Sequence, residues 1–588
     1  MSQIDVNALF GRAETAFQAG RFDAARKDLS VVLRVMGDHP QVLHLLALCE
    51  MRLGHASAAM SAFRKALIAA PNDPQISSNL ANLLDQQGDS VGALQCLDRV
   101  LQRFPNAVDA RFNRALLRQR VGDLPEALRD LDQLLVTHRD DPRLWEARGA
   151  INRQRGDFQG AAADYDRALE LDPGRTIALH GAARIALERG QASALPAYRR
   201  AIAVAGDDPT LLLGLVEAME LEGGGGIELL AARVASQPDW IEGHANLARM
   251  RAEAGSDIDF TQSFVEAIDQ LPADRALKMA YWRCLALAGR YQDALTALDG
   301  AHPGVVTDPE LLLMEAVFAS EAGLLDRADS AFAKLGAEAD VDLARGRHAL
   351  RKGDPALAVA LLEPLALGNP GLVTAWAHLS LGWRLTGDPR HDWLCGQPGL
   401  YGTSDVELEG HELDALADQL RDLHLTRAHP IGQSLRGGTQ TRGRLLARDE
   451  PIIGLLRERL AKAVGRHLSA LPPIDSAHPL LRFRDRNFAF AGSWSVRLCD
   501  RGYHVHHVHP EGVLSSACYI ALPDSVAQEQ QGWLEIGAAP AELSLGLSPI
   551  AVIEPRPGRL ALFPSYLFHG TRPFPSGERL TVAFDVVV

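Results

Sequence analysis

The sequence has no excess of positive charge, no long apolar run and few cysteines, and each shortage closes off a class of protein. Lys and Arg number 60 against 74 Asp and Glu in 588 residues, a formal charge of -14. No generally basic surface is available to hold a phosphate backbone, so nucleic acid is not an expected partner. No apolar run approaches the ~20 residues that cross a bilayer. The opening Met1-Ser2-Gln3-Ile4-Asp5-Val6 has no positive region followed by an apolar core, so no membrane partner and a cytoplasmic location are expected. Six scattered cysteines describe no disulfide framework, and none forms the C-x2-4-C pair of a structural zinc site. The chain is also too long for one hydrophobic core and should hold two or more domains.

What is present first is a repeat. Glycines recur at Gly20, Gly54, Gly88, Gly122, Gly156 and Gly190, each 34 residues after the last, which is the tetratricopeptide period. The wording around them repeats too: Ala59, Phe63, Ala66 and Pro71 follow Gly54 as Ala161, Tyr165, Ala168 and Pro173 follow Gly156. Glycine suits the turn between two antiparallel helices, small alanines let the helices approach, and proline ends the second helix. The register continues less cleanly through Gly224, Gly255, Gly289, Gly323, Gly353 and Gly387. The run Gly223 to Gly226 predicts a loosened connection in the seventh unit. Such an α-solenoid offers a concave wall to an extended polypeptide. Asn79, Asn82, Asn113 and Arg114 are candidates for gripping a peptide there, with ordinary solvated side chains as the plainer reading.

After Gly387 the register is lost. Glu407 to Leu425 and Pro451 to Leu471 read as amphipathic helices flanking a sheet. Gln433 to Thr441 reads as a glycine-rich loop over a pocket. Short strand-like runs follow at Ser493 to Leu498, Leu514 to Leu522, Trp533 to Ile536, Ala551 to Glu554, Arg559 to Phe563 and Arg579 to Val588. The expected domains are therefore a repeat solenoid over residues 1–390 and a β domain over 391–588.

Inside the β domain, Tyr503-His504-Val505-His506-His507-Val508-His509-Pro510-Glu511-Gly512 crowds four imidazoles into six residues. Sixty residues beyond His509 stands His569, and ten further on Arg579. An H-x-H pair on a strand points both side chains to one face, and a distant third ligand closes the set while leaving open positions on the metal. A histidine cluster is also an ordinary solvated feature, and an arginine on a strand is commonly an edge charge. The joint spacing of His569 and Arg579 favours a site.

These residues resemble the double-stranded β-helix (jelly-roll, cupin-like) oxygenases that use Fe(II) and 2-oxoglutarate, in particular a branch carrying tetratricopeptide repeats. The likeness spans roughly Trp393 to Val588 and rests on Gln433 to Thr441, Gly492 to Leu498, the His507-Val508-His509-Pro510 run, and Gly558 to Ser565 leading to His569. Aspartyl/asparaginyl β-hydroxylases are similar in outline. The resemblance implies that His507 and His569 hold iron and that Arg579 holds the distal carboxylate of the co-substrate. Thr581 would stand beside Arg579, with Ser495 and Arg497 on a neighbouring strand. The sequence departs from the common His-x-Asp or His-x-Glu pattern, because His509 stands where the carboxylate would be. Either His509 is the third ligand, or fewer protein ligands serve, or the pair shifts to His509-x-Glu511; the set His507, His509 and His569 is preferred.

The implied activity is that of a 2-oxoglutarate/Fe(II)-dependent dioxygenase hydroxylating a protein or peptide recruited by the solenoid. The alternatives are a repeat scaffold with an inactive metal-binding barrel, and a zinc cupin-type enzyme in which the same three histidines polarise water.

Overall fold

A computed structural model describes residues 5–71, 73–301, 307–527 and 530–588; the Met1–Ile4 part of the N-terminal stretch lies outside them. Packing groups the chain into two compact units, residues 1–182 and 183–588. Helices run as far as Val373–Thr386, and the first strand is Gly402–Asp405, so the change from helix to strand falls inside the second unit.

In the first unit, helices pair from Val6–Gln18 with Phe22–Met36 to Pro142–Gln154 with Phe158–Leu171. The periodic glycines Gly20, Gly54, Gly88, Gly122 and Gly156 lie just past the first helix of each pair with φ of 72, 79, 83, 86 and 81°. That left-handed conformation is open to glycine at no steric cost and turns the chain back in two or three residues. Helix starts are equally local. Asp73 and Asp141 precede prolines and accept hydrogen bonds from the first free backbone N–H groups of Pro74–Gln86 and Pro142–Gln154. The repeated Ala59, Phe63 and Ala66 are fully buried, as are Ala161 and Ala168. Of the four candidate peptide contacts, Arg114 is committed to Asp98 and Asp130, Asn79 bonds His44, Asn113 is half-buried and Asn82 is exposed.

In the second unit the glycine run follows Pro209–Glu222 and precedes Gly226–Ser236, with Gly223, Gly224 and Gly225 at φ of 133, 107 and 89°. The connection is capped: Glu220 Oε1 accepts from Gly226 N at 2.8 Å and Ile227 N at 3.2 Å. The β domain has nine strands among the described residues: β1 Gly402–Asp405, β2 Leu435–Gln440, β3 Ala489–His504, β4 Leu514–Ala521, β5 Leu534–Ile536, β6 Ala551–Ile553, β7 Arg559–Pro564, β8 His569–Thr571 and β9 Arg579–Val587. They form a six-stranded sheet, order β1-β7-β4-β9-β3-β2, and a three-stranded sheet, order β6-β5-β8. All pairings are antiparallel. This is the all-α repeat region followed by an antiparallel two-sheet domain that the pattern predicts. The flanking helices are Gly410–Leu423 and Pro451–Ala470.

One segment differs from expectation. Gln433 to Thr441, read as a loop, contains the edge strand β2. Its glycines serve a bulge rather than a free loop: the register shifts between Arg436 and Gly438, and a Cβ on Gly438 would lie 2.3 Å from the Arg497 carbonyl oxygen.

The core runs through the helix-to-strand change. Trp376 and Trp383 of Val373–Thr386 are buried in one cluster with Leu416 and Leu420 of Gly410–Leu423, Leu456 and Leu460 of Pro451–Ala470, Phe563 of β7 and Phe584 of β9. Deleting residues 1–388 would therefore strip two tryptophans from the core that supports the sheets, and the remaining fragment is expected to show no cooperative thermal transition. Trp383→Ala in the full chain should cost about 3–5 kcal/mol, read from the denaturant midpoint. A fragment that melts cooperatively would show a self-sufficient β core.

Candidate metal centre

The site is built on β9 and on the chain between β3 and β4. Along β9 the residues Arg579, Thr581, Ala583 and Asp585 share one face by the two-residue period. The first three line a cleft together with His504, His507, His509 and His569. Beyond β3 the backbone is pinned by a reciprocal bridge: His507 N donates to His569 O at 3.0 Å and His569 N to His507 O at 3.0 Å. That bridge brings the two imidazoles together, ring centres 4.2 Å apart and planes inclined by 50°, with His509 at 5.0 Å from each.

The tautomers follow from the partners. His507 Nδ1 lies 2.8 Å from Val505 O, His569 Nδ1 3.1 Å from Leu567 O, and His509 Nδ1 2.5 Å from Asp585 Oδ1. Each partner only accepts, so each Nδ1 carries a proton, and a ring in its neutral form presents the lone pair of Nε2. The donor atoms of the three residues lie within 4.8 Å of one another, and the Nε2 atoms of His507 and His509 are 3.0 Å apart. Ligands at right angles on metal–nitrogen bonds of about 2.1 Å are separated by roughly that distance. Lone pairs facing one another in a buried place need a cation between them. Burial, then the neighbouring His569, His509 and His504, hold His507 far below the ordinary imidazole range, and burial does the same to His569. On these two rings a proton is therefore the disfavoured cation, and the three residues together fit a divalent metal ion.

Opposite the imidazoles, Arg579 is 2% exposed. Its guanidinium lies 5.2 Å from the centre of the Tyr519 ring, and Nε has no hydrogen-bond partner. It makes no ion pair among the described residues, although Glu578 is its neighbour. Glu578 points to the other face, where it pairs with Arg421 at 2.8 Å and Arg497 at 2.5 Å. A buried guanidinium that stays charged and lacks a counter-ion is a receptor for a carboxylate entering the cleft.

The other expected residues divide. Thr581 is buried and lines the cleft beside Arg579. Ser495 and Arg497 do not line it: Trp494 and Val496 occupy the cleft side of β3, so the two-residue alternation turns Ser495 to His424 (3.1 Å) and Arg497 to Glu578. Glu511 is exposed and outside the cleft, which leaves His509 as the third gathered donor. His506 turns away from the other imidazoles, 3.3 Å from Glu535. Sequence reasoning missed two contacts. Asp585 shares the parity of Arg579 and Thr581 on β9, a signal that was available. Ser434, whose hydroxyl lies 3.1 Å from His507 Nε2 and 3.0 Å from His504 Nδ1, lies in the Gln433 to Thr441 segment expected over a pocket, but was not singled out within it.

Residues 492–585 match the family model described as "Putative 2OG-Fe(II) oxygenase", and tetratricopeptide-repeat models match residues 16–83, 80–137 and 114–176. The matches thus give tetratricopeptide repeats in the N-terminal part of the chain and, at its C-terminus, a stretch similar to that oxygenase family. No curated protein matches it. Solved structures similar to part of it include a tetratricopeptide repeat protein from Parabacteroides merdae (16% identity, 47% of this chain and 97% of that one, TM-score 0.34). Another is PilF of Pseudomonas aeruginosa (17% identity, 36% and 95%, TM-score 0.32). Among the described residues no helix is long and apolar enough to cross a membrane, and all six cysteines are free.

Two measurements check this geometry. Asp585→Ala removes the acceptor that orients His509 and should weaken Co(II) binding about 10- to 100-fold, the usual effect of losing a ligand's supporting hydrogen bond, with Asp585→Asn intermediate. Titration of Co(II) by its visible absorbance reads both. The second concerns pH. Burial pushes His504 down to about 3 and His378, His424 and His478 to about 4, from 6.5. Because the folded pKa values are depressed, the folded state binds fewer protons than the unfolded one below pH 6.5. The metal-free protein should keep a constant melting temperature above about pH 6.5 and lose stability from there down to pH 5, above the carboxylate range. A flat profile over that interval would contradict the burial of these rings.

Proposed function

We propose that the C-terminal domain is a 2-oxoglutarate/Fe(II)-dependent dioxygenase that hydroxylates a polypeptide, with His507, His509 and His569 as metal ligands and Arg579 as the co-substrate anchor. The observation that carries the reading is the buried guanidinium of Arg579, which has no carboxylate partner among the described residues, in the same cleft as three converging imidazoles. A co-substrate with two carboxylates has a use for both: one end can chelate and the other is gripped by a guanidinium through two parallel hydrogen bonds. The family match over residues 492–585 supports the same reading.

In that reading the bound iron and 2-oxoglutarate supply the oxidising chemistry, in which R–H, O2 and 2-oxoglutarate give R–OH, succinate and CO2. The chain's own residues bind and orient. Val505 O, Leu567 O and Asp585 keep the three imidazoles neutral at Nε2 and aimed inward. Three ligands leave positions open on a six-coordinate metal. Thr581 stands next to Arg579 to take part in holding the distal carboxylate, and Trp494, with its ring 5.6 Å from that of His509, walls the cleft from water. Ser495 and Arg497 act behind the site, through His424 and Glu578. We further propose that residues 1–390 recruit the polypeptide through the repeat surface while 391–588 hold the chemistry. A repeat region far larger than a metabolite needs, of a type that binds extended peptides, supports that assignment.

A second reading, a zinc enzyme, is favoured by the absence of a carboxylate among the gathered donors, since three histidines also suit catalytic zinc. Metal analysis of anaerobically purified protein together with succinate release from 2-oxoglutarate separates the two: stoichiometric iron with succinate fits the oxygenase, retained zinc without succinate the alternative.

His507→Ala and His569→Ala should each abolish metal binding and succinate release. Arg579→Ala should keep the metal but raise the 2-oxoglutarate requirement about 30-fold or more, the consequence of the ~2 kcal/mol or more lost when one partner of a buried charge pair is removed. Arg579→Lys should recover only part of that loss, because an ammonium lacks the fork. An unchanged requirement in Arg579→Ala would remove the anchor. Mass gains of one oxygen in polypeptides of a treated lysate test the substrate class, and oxygen found only in small molecules would exclude it.

A further inference from the structure

The repeat helices of the second unit reach the candidate site through one carboxylate. Glu253 is the next-to-last residue of Ile241–Ala254 and is 2% exposed. Its carbonyl, which as a helix-terminal group has no partner within the helix, accepts from Arg427 N at 2.9 Å and Ala428 N at 3.0 Å. Its Oε2 accepts from Arg442 Nε at 2.6 Å, and Oε1 from Arg249 at 3.0 Å. Glu253 therefore clamps both limbs of the segment that carries β2. Between the limbs, Ile431 packs into the repeat-helix cluster of Ala248, Phe264 and Leu277. At the far end Asp449 accepts from Arg189 and Gln191, both at 2.8 Å.

What the clamp holds is a wall of the cleft. Gln433, Ser434 and Gln440 line it. Ser434 O accepts from Val505 N at 2.9 Å, and Val505 O accepts from His507 Nδ1 at 2.8 Å. An unbroken series of contacts thus runs from a repeat helix to the imidazole. We propose that Glu253 is a positioning residue for the candidate site: by fixing the 427–442 segment it orients His507 and sets the cleft wall, so the repeat region is part of the catalytic architecture and not only a means of recruiting a partner. This inference rests on the metal-site reading given above.

The test uses the full chain as wild type, Glu253→Gln, Arg442→Ala and the double variant, with Glu315→Gln as control. Glu315 pairs with Arg327 at 2.8 Å elsewhere in the same unit. Tryptic cleavage after Arg436, a site that every variant keeps, reports release of the segment, Co(II) titration reports the imidazoles, and the melting temperature reports global stability. Glu253→Gln is expected to speed cleavage after Arg436 about tenfold by local opening and to weaken Co(II) affinity several-fold with a changed visible spectrum, at a nearly constant melting temperature. The double variant should be no worse than the worse single one, as for two partners of one interaction. Cleavage and Co(II) affinity equal to wild type would overturn the proposal, as would equal effects in Glu315→Gln or additive effects in the double variant. Failure of the wild type itself to bind Co(II) would tell against the metal-site reading, and the cleavage measurement would then still accept or reject the clamp.

Discussion

Three hydrogen bonds that point outward decide what the site can do. Val505 O, Leu567 O and the Asp585 carboxylate each claim an Nδ1 proton, and that choice forces the three Nε2 lone pairs inward. Without these acceptors an imidazole can exchange its tautomers and place a proton where a metal belongs. Two of the acceptors are backbone carbonyls two residues before the histidine they serve, so the geometry of the strand ends is itself the ligand-orienting device. The reciprocal His507–His569 backbone bridge then ties the two devices together. The rest of the domain can be understood as what is needed to hold that bridge between two sheets.

The charge balance of the cleft completes the argument. Three neutral imidazoles contribute nothing, Arg579 contributes one positive charge, and Asp585 contributes one negative charge a shell further out. In the proposed complex a divalent ion arrives with a dicarboxylate of two negative charges, so the filled cleft keeps the balance of the empty one. A carboxylate ligand in place of His509 would shift that balance by a full charge. Asp585 is hydrogen-bonded to His509 and so gives the imidazole part of the character of an anionic ligand without occupying a coordination position. The departure from the His-x-carboxylate pattern is in this sense a displacement of the negative charge along β9, not its loss.

Much of this was legible from residues alone, for identifiable reasons. The repeat region was legible because a left-handed turn every 34 residues leaves glycine as the economical choice, and Gly20 to Gly156 all adopt that conformation. The gathering of His507, His509 and His569 was legible because clustered histidines with a distant third are few and chemically distinctive. The errors came where parity or distance in sequence decides. Ser495 and Arg497 were offered to the site although Trp494 and Val496 hold the cleft face of β3; the choice of face depends on which neighbouring strand pairs with it, which a single run does not reveal. Asp585 followed the parity of Arg579 but stood six residues away with no motif to mark it. β2 was taken for a loop because its glycines, needed for a bulge against Arg497, look the same as the glycines of a free loop.

The boundary between helices and strands is the place where sequence and packing carry different information. Composition changes near residue 390, yet Trp376 and Trp383 sit in the same core as Phe563 and Phe584, and Glu253, Arg189 and Gln191 bind the segment leading to and from β2. Hydrophobic burial is indifferent to which kind of element supplies the surface. A solenoid cannot finish its own core at its last repeat, because each pair of helices leaves one face uncovered. Here the β domain and its flanking helices cover that face around Val373–Thr386. The consequence is directional. Once the last repeats are closed by the domain they would otherwise present a partner to, a strain felt by the repeat helices has a packed route to the cleft, and a polypeptide bound on those helices would be held by the same body that orients His507.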